Sequence, residues 1–272
     1  MPLIPLSYLD LGTAALLLLV NAGLSIWLRL GMGRQLLVAA ARMVAQLALV
    51  GLVLEALFAV VSPLWTALAA LVMLLFAGRE VMARQERRLK GLAGYGLGTG
   101  SMLVAAGLVT LLALTAQIGA APWYDPRYAI PLFGMILGNT MTGISLGLDT
   151  LLTAAVRDRV AIEARLALGA DRWTAFRTVL RGALRSGLIP VVNSMATTGL
   201  VFLPGMMTGQ ILAGAAPAEA IKYQLLVMFL IAGGTGLGVL ATVHGGVLLL
   251  SDSRHRLRLD RLTAARSGPA HP

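Results

Sequence analysis

The amino-acid sequence predicts an all-α protein: a polytopic membrane bundle of about seven transmembrane helices, with the N-terminus outside and the C-terminus inside. Of its 272 residues, 58% are hydrophobic and 12% are charged, too few polar groups to surface a soluble globule. Apolar stretches of roughly the 20 residues that a bilayer-crossing helix needs recur along the chain. The basic residues lie almost entirely between those stretches, as in the loops of membrane proteins.

Seven apolar stretches are candidate spans. They cover residues 9–28, 35–58, 63–78, 99–120, 129–151, 188–212 and 221–250. The first lacks a basic leading segment and is too long for the apolar part of a signal peptide, so we expect it to be retained. This predicts a membrane domain over residues 1–250 and a basic cytoplasmic tail over 251–272.

The positions of lysine and arginine orient these spans. Of the 22 basic residues, 19 fall within residues 29–34, 79–90, 157–185 and 254–266. Cytoplasmic loops carry an excess of Lys and Arg, so these four segments are expected on the inside. The net charge of +10 is therefore a property of membrane-flanking loops, and the expected surroundings are membrane lipid rather than nucleic acid.

The fifth and sixth apolar stretches carry unusual chemistry. In 129–151, glycines at four-residue spacing let helix backbones approach closely, and polar side chains lie between them. Either this is helix packing within a bundle or the stretch lines a translocation path. In 188–212, Pro204 and Gly205 should break or kink the helix, which membrane proteins tolerate where the backbone lines protein or a wet cavity. The alternative is a plain structural kink.

Side-chain type and position in these stretches select candidate path and metal residues. We predict a path lined by Asn139, Thr142, Ser145, Asn193, Thr197, Met206, Met207 and Gln210. Thioethers are soft ligands for copper or ferrous iron, although methionines also fill gaps in cores. The sequence defines no metal site, and the side chains with suitable chemistry are Glu55, Met206, Met207 and His244. Instead of collecting cations, Glu55 could be a carboxylate that snorkels to the membrane surface. Instead of binding a metal, His244 could make a structural hydrogen bond.

Residues 157–187 form a basic, polar segment between two apolar stretches. Its pattern predicts two short helices: Asp158 starts the first, Gly169 provides a left-handed stop and Asp171 caps the second. On the second helix an apolar stripe recurs every three or four residues, at Trp173, Phe176, Leu180 and Leu184. Such a helix can lie across the base of a bundle and offer a docking ridge.

No catalytic motif is expected to operate in this chain. The absence of cysteine excludes disulfides, thiol catalysis and thiolate metal sites. The G-x-S-x-G pattern at 143–147 lies inside an apolar stretch, whereas a nucleophile elbow needs a strand before it and a helix after it. The sequence contains no P-loop. The chain is therefore not expected to be an enzyme or to bind a cofactor, and a separate subunit would have to supply any ATPase activity.

Two sets of motifs resemble a known transporter family. Glu163-Ala164-Arg165 followed by Gly169 resembles the EAA-type loop of ABC-transporter membrane subunits, although the usual Leu-Pro after the glycine is replaced by Ile189-Pro190 about 20 residues later. Residues 131–139, 203–214 and Tyr223-Gln224 resemble the UPF0014 family of FetB-type permeases.

The resemblance implies the permease subunit of an ABC transporter in the bacterial inner membrane, exporting iron and contributing to metal homeostasis. It implies a partner, a cytoplasmic ATPase of the FetA type that uses ATP and Mg. We expect a homodimer of the permease that carries two such ATPases and works by alternating access. For ATPase docking we predict Glu163, Ala164, Arg165 and Gly169 of the EAA-type motif, together with Trp173 of the apolar stripe. A plant branch is associated with aluminium tolerance and a nucleotide sugar, so another metal or an organic solute remains an alternative cargo.

Two other classes are weighed against an ABC permease. A secondary transporter driven by an ion gradient needs titratable groups near the midplane, and the chain offers few beyond Arg42 and His244. A non-transporting membrane scaffold would give the polar residues inside the spans no role.

Overall fold

The computed structural model describes residues 7–252 and 254–264, and helices account for nearly all of their regular structure. The helices are α1 (Tyr8–Trp27), α2 (Gly33–Ala59), α3 (Pro63–Arg84), α4 (Ala93–Leu112), α5 (Pro126–Arg157), α6 (Arg159–Ala167), α7 (Arg172–Thr197), α8 (Gly205–Leu212) and α9 (Pro217–Leu249). A π-helical turn, Ala113–Gln117, extends α4, and a 3-10 turn spans Leu259–Arg261. The described residues contain no β-strand, which confirms the all-α fold class.

Six helices of the described chain are long and apolar enough to cross a membrane: α1, α2, α3, α4 with its extension, α5 and α9. The predicted sixth span, 188–212, is not one continuous helix. α7 runs through its predicted start with Pro190 inside the helix, and the chain then leaves helical structure until α8 begins at Gly205. α7 is not apolar enough to count as a span because its first half carries four arginines, at 172, 177, 181 and 185.

The break predicted at Pro204 and Gly205 is present but starts earlier. The hydroxyl of Thr198 donates to the Ser194 carbonyl at 2.7 Å, and Gly199 adopts a φ of +92°. α7 therefore ends at Thr197, seven residues before the proline. Pro204, which has no N–H to donate, then immediately precedes α8.

The described residues divide into two compact units. The first comprises residues 7–60 with 212–214 and contains the α1–α2 hairpin. A capping box between Ser7 and Asp10 starts α1, and the Ser25 hydroxyl accepts the Met32 N–H at 3.1 Å within the hairpin turn. The second unit comprises residues 61–211, 215–252 and 254–264.

In the second unit, five helices alternate in direction. α3, α5 and α9 run parallel to one another, and α4 and α7 run antiparallel to them. At one end the Thr66 hydroxyl donates to the Tyr124 carbonyl at 3.1 Å, and at the other the Asp149 carboxylate accepts the Glu86 N–H at 2.7 Å. α7 lies along most of the length of α5, so it runs with the bundle despite its arginines.

Three of the predicted cytoplasmic segments meet at one end of this unit, which we call the basic end. It contains the α3–α4 loop, the α5–α6–α7 turns and the tail after α9. The Lys90 N–H donates to the Arg261 carbonyl at 2.7 Å, and the Thr263 N–H donates to the Arg88 carbonyl at 2.8 Å. Between these bonds Leu89 and Leu262 are buried, which ties the tail to the α3–α4 loop.

Close backbone contact explains several glycines. A Cβ on Gly143 would lie 2.8 Å from the Gly187 carbonyl, and one on Gly147 would lie 3.3 Å from the Ala183 carbonyl. The packing interpretation of these two positions of α5 is therefore correct. α4 also starts six residues before the predicted span, and its Gly98 packs against Val81.

Candidate functional site

The turn between α6 and α7, which we call the elbow, follows the local signals in the sequence. Gly169 adopts a φ of +88°, and the Ala170 N–H donates to the Arg165 carbonyl at 3.0 Å, which closes α6. The Asp171 carboxylate accepts the Thr174 N–H at 3.1 Å. Hydrogen bonds from the side chain and the backbone of Thr174 lower the pKa of Asp171. The predicted stop and cap are confirmed. Asp158 precedes α6, but its side chain binds the Arg157 guanidinium instead of capping the helix.

The elbow is fastened to the tail of the chain. The N–H of Arg172 donates to His255 Nδ1 at 3.2 Å, and its guanidinium donates to the Asp252 carbonyl at 3.0 Å. The Asp252 carboxylate accepts the backbone N–H groups of Arg254 and Arg256, each at 2.9 Å. These bonds, with the Arg256 side chain, lower the pKa of Asp252 to about 2. A cavity of about 350 Å³ remains between the tail and α6.

The five predicted docking residues do not share one surface. Ala164 and Gly169 are exposed. Glu163 is half-buried, pairs with Arg159 at 2.8 Å and faces the tail cavity. The Arg165 guanidinium donates to the Ala175 carbonyl at 3.1 Å and so braces the elbow. The Trp173 ring lies against the His244 ring, with centroids 5.6 Å apart.

A more exposed apolar ridge lies on α6. Val160 is 80% exposed and Leu168 is 87% exposed, and Ala164 lies midway between them on the same helix face. Ile162, on the opposite face, is fully buried. We call Val160, Ala164 and Leu168 the α6 ridge. Sequence reasoning missed its two bulky members, although two large apolar residues eight apart in a polar segment were the available signal.

α5 presents one face that the rest of the second unit leaves uncovered. Asn139 and Leu146 on this face are exposed and Thr142 is half-buried. The Asn139 amide donates to the Met135 carbonyl at 2.8 Å and the Thr142 hydroxyl to the Gly138 carbonyl at 3.1 Å. Their oxygens remain able to accept or to bind a cation. We call this surface the open face of α5.

Ser145 does not belong to the open face. It is 5% exposed, and its hydroxyl donates to the Met141 carbonyl at 2.8 Å. Six residues separate it from Asn139, which at 3.6 residues per turn places it on a different side of α5.

The remaining path candidates lie beyond the middle of α7. Asn193 is exposed, and the Thr197 hydroxyl donates to its carbonyl at 2.9 Å. Met206, Met207 and Gln210 are half-buried on α8, which makes few contacts with the bundle. The structure thus places these residues near the helix break but does not pack them against the open face of α5.

The candidate metal ligands of the second unit do not lie together. His244 Nδ1 is hydrogen-bonded to the Leu240 carbonyl at 2.8 Å beside Trp173 at the basic end, which supports its structural interpretation. Met206 and Met207 follow the opposite end of α7, and Glu55 is an exposed residue of α2 in the first unit. Within the described residues, no three His, Cys, Asp or Glu side chains are grouped to hold a metal ion.

The contact of α5, α7 and α9 leaves no room for a passage. A Cβ on Gly187 would lie 2.7 Å from Val239 and 2.8 Å from the Gly143 carbonyl, closer than ordinary van der Waals contact. A solute path at this level cannot run between these three helices.

These features define an integral, multi-pass helical membrane protein. Residues 8–248 match the family model described as "Uncharacterised protein family (UPF0014)". The chain therefore belongs to the UPF0014 family.

Several curated relatives are similar to the chain over most of their length. It is 40% identical over 232 residues to the UPF0014 membrane protein slr1647 of Synechocystis, covering 84% of this chain and 88% of the relative. It is 31% identical to the probable iron export permease protein FetB of Escherichia coli, covering 93% and 95%. It is 32% identical to the protein ALUMINUM SENSITIVE 3 of Arabidopsis thaliana, covering 85% and 82%. No solved structure matches the chain.

Proposed function

We propose that the chain is the permease subunit of an ABC transporter that exports iron across the bacterial inner membrane. A separate cytoplasmic ATPase, using ATP and Mg, docks on the elbow and drives transport. Two copies of the permease carry two ATPases. The chain itself performs no catalysis and holds no cofactor.

The observation that carries the proposal is the continuity of α7. This helix runs without a break for 26 residues, about 39 Å, from the elbow to Thr197, where the helix break begins. A movement of the basic end can therefore be passed to Asn193 and the break along one continuous helix, in which Pro190 removes one backbone hydrogen bond. The two short helices and separate span expected from the sequence would have needed a joint there.

The α6 ridge is the part of the elbow that suits a protein partner. Its bulky apolar side chains are exposed at the polar basic end, away from the apolar surfaces that face lipid in a membrane protein. Apolar anchors that fill pockets dominate the energetics of protein interfaces. The bonds from Arg165 to Ala175 and from Arg172 to the tail hold the ridge at a fixed angle to α7.

Closure of the ATPases would push the elbow and move α7. The backbone contacts of Gly187 with Gly143 oblige α5 to follow, which would alter the access of the open face to the two sides of the membrane. Two copies meeting at their open faces would place Asn139 and Thr142 around a common path. The oxygens of these residues provide weak ligands for a passing ferrous ion, and the thioethers of Met206 and Met207 provide softer ligands near the helix break.

The cargo rests on one relative named as a probable iron export permease. The relative named ALUMINUM SENSITIVE 3 keeps another metal or an organic solute such as a nucleotide sugar as the alternative. A gradient-driven secondary transporter is the alternative outside the ABC class.

The experiment is to reconstitute the permease with its cognate ATPase in proteoliposomes and to titrate ATPase activity with ferrous iron and a panel of other metals. Leu168→Asp should abolish co-purification with the ATPase. The matched control is Leu92→Asp, which charges an 83% exposed leucine at the basic end outside the elbow.

Each outcome discriminates. Iron-dependent stimulation that Leu168→Asp removes and Leu92→Asp retains supports the proposal. If the complex forms but no metal changes its ATPase activity, the chain is still an ABC permease and its cargo is not iron. Failure of the unmodified chain to bind its ATPase overturns the ABC assignment and favours a gradient-driven transporter.

A further inference from the structure

A groove of about 390 Å³ lies on the second unit between α3, α4 and α5. Its walls are α3 from Pro63 to Leu74, α4 with its extension from Leu103 to Leu114, and α5 from Ala129 to Phe133. Trp123 and Tyr124 line its end away from the basic end. Neither the elbow nor the open face of α5 uses this groove.

The groove is too apolar to hold ordered water. Of its side-chain hydroxyls, that of Thr66 is already shared between the carbonyls of Ser62 and Tyr124. The Thr110 hydroxyl, on a residue 6% exposed, has no hydrogen-bond partner among the described residues. The other polar side-chain groups of the lining, the Tyr124 hydroxyl and the Trp123 indole N–H, belong to residues at the end of the groove. A buried water needs two to four polar partners, so the Thr110 hydroxyl alone does not retain one along the helical walls. The occupant that suits this lining is a hydrocarbon.

The dimensions of the groove match one leaflet of a bilayer. Pro63 and Leu74 are eleven residues apart on α3, which corresponds to about 16 Å along the helix. The hydrocarbon core of a bilayer is about 30 Å thick, so one leaflet contributes about 15 Å. An acyl chain lying along the groove would therefore run from the interface to the bilayer midplane.

The end of the groove has the chemistry of a headgroup region. Trp123 is 49% exposed there, and tryptophan is enriched where lipid headgroups meet the hydrocarbon. The exposed Arg127 lies within one helical turn of the lining residues Ala129 and Ile130. The nearby Asp125 carboxylate is occupied as a helix cap, accepting the Arg127 N–H at 2.9 Å. The Arg127 guanidinium provides the positive charge that complements a phosphate.

We propose that the α3–α4–α5 groove binds a membrane phospholipid, with one acyl chain along α3 and α4 and the phosphate at Arg127. The chain embeds as a multi-pass membrane protein, so phospholipid surrounds the groove. The bound lipid would fill the space between α3 and α4 at the end of the groove that Trp123 lines. The proposal is independent of the cargo and of the ATPase.

The test uses delipidated full-length protein in a non-ionic detergent, titrated with palmitoyl-oleoyl phosphatidylglycerol and followed by native mass spectrometry. Gly107→Leu places a side chain in the groove, because Gly107 lines it and its Cβ would meet only Leu103, at 4.0 Å. The matched control is Gly100→Leu, an exposed position of α4 with nothing within 4 Å of a Cβ and outside the groove.

Retention of one phospholipid that Gly107→Leu removes and Gly100→Leu preserves is the expected result. Arg127→Gln should weaken phosphatidylglycerol binding about five-fold, the effect of one basic side chain near an anionic lipid. Equal lipid binding by the Gly107→Leu and Gly100→Leu variants would overturn the proposal, as would a groove filled by a second copy of the chain in place of lipid.

A second measurement remains informative if Gly107→Leu fails to fold. With Trp27, Trp65 and Trp173 replaced by phenylalanine, phosphatidylglycerol brominated on its acyl chain should quench Trp123 fluorescence saturably. Arg127→Gln should shift the midpoint of that quenching to higher lipid. Non-saturating quenching that Arg127→Gln leaves unchanged would identify bulk lipid only and reject the site.

Discussion

Replacing Gly187 of α7 by alanine should loosen the contact that joins α5, α7 and α9. The added Cβ would lie 2.8 Å from the Gly143 carbonyl and 2.7 Å from Val239. Overpacking a tight core costs typically 1–3 kcal/mol, and a backbone oxygen cannot rotate away, so a cost of about 3 kcal/mol applies here. Alanine recovers about 1 kcal/mol of helix propensity, leaving a net loss of about 2 kcal/mol.

Gly182→Ala is the matched control on the same helix. Gly182 is exposed and a Cβ there would meet nothing within 4 Å, so this change should stabilise the protein by up to about 1 kcal/mol. The two variants should therefore differ by about 3 kcal/mol, or roughly 6–12 °C in melting temperature for a chain of this size. Size-exclusion chromatography after stepwise heating in detergent measures that difference.

A double variant separates the two clashes. Val239→Ala removes the contact with the valine but leaves the Gly143 carbonyl in place, so it should rescue Gly187→Ala only in part. If Gly187→Ala melts together with Gly182→Ala, the helices are not in backbone contact, and α7 cannot drag α5 as proposed.

The other predictions concern the open face and the tail. Asn139→Leu should slow transport about ten-fold, the equivalent of losing one polar contact of about 1.4 kcal/mol, whereas Ser145→Ala should not; equal losses in a proteoliposome flux assay would reject the open face as the path. The carboxylate of Asp252 has a pKa lowered to about 2 in the folded protein, below its ordinary value near 4, so its contribution to the tail fold is complete above about pH 4 and is lost as the pH falls through 2. Hydrogen exchange should show the Arg254 and Arg256 amides losing protection over that range in the natural protein and already at neutral pH in Asp252→Ala, which removes the accepting oxygen; unchanged protection in that variant would contradict the assignment.

Local signals in the sequence predict what local chemistry decides. Gly169 and Asp171 end one helix and start the next through their own backbone angle and side-chain bond, so the residue types alone suffice to predict the elbow. The four-residue spacing that includes Gly143 predicts close helix contact for the same reason. In both cases the information lies within a few residues of the feature.

The continuity of α7 and the α6 ridge depend on tertiary structure. Arginines in the first half of α7 suggest a boundary at 187, but Phe176 and Ala183 on another side of the helix are fully buried and hold it against the bundle. Val160 and Leu168 are identified as a ridge only when the burial of Ile162 shows which side of α6 faces inward. The attachment of Leu89 to Leu262 joins residues too far apart for any pattern to relate.

The junction of the tail with the α3–α4 loop sets an order for biosynthesis. Thr263, whose N–H binds the Arg88 carbonyl, is translated 175 residues later. At a synthesis rate of about 5–20 residues per second, the tail segment that binds the α3–α4 loop is synthesised roughly 9–35 s after the loop. His255 and Asp252, which fasten the elbow, emerge shortly before Thr263. A ribosome-bound chain arrested at residue 250 should therefore expose its α3–α4 loop to protease, and extension of the chain beyond Thr263 should close that site. The tail residues thus complete a surface whose other parts are translated much earlier.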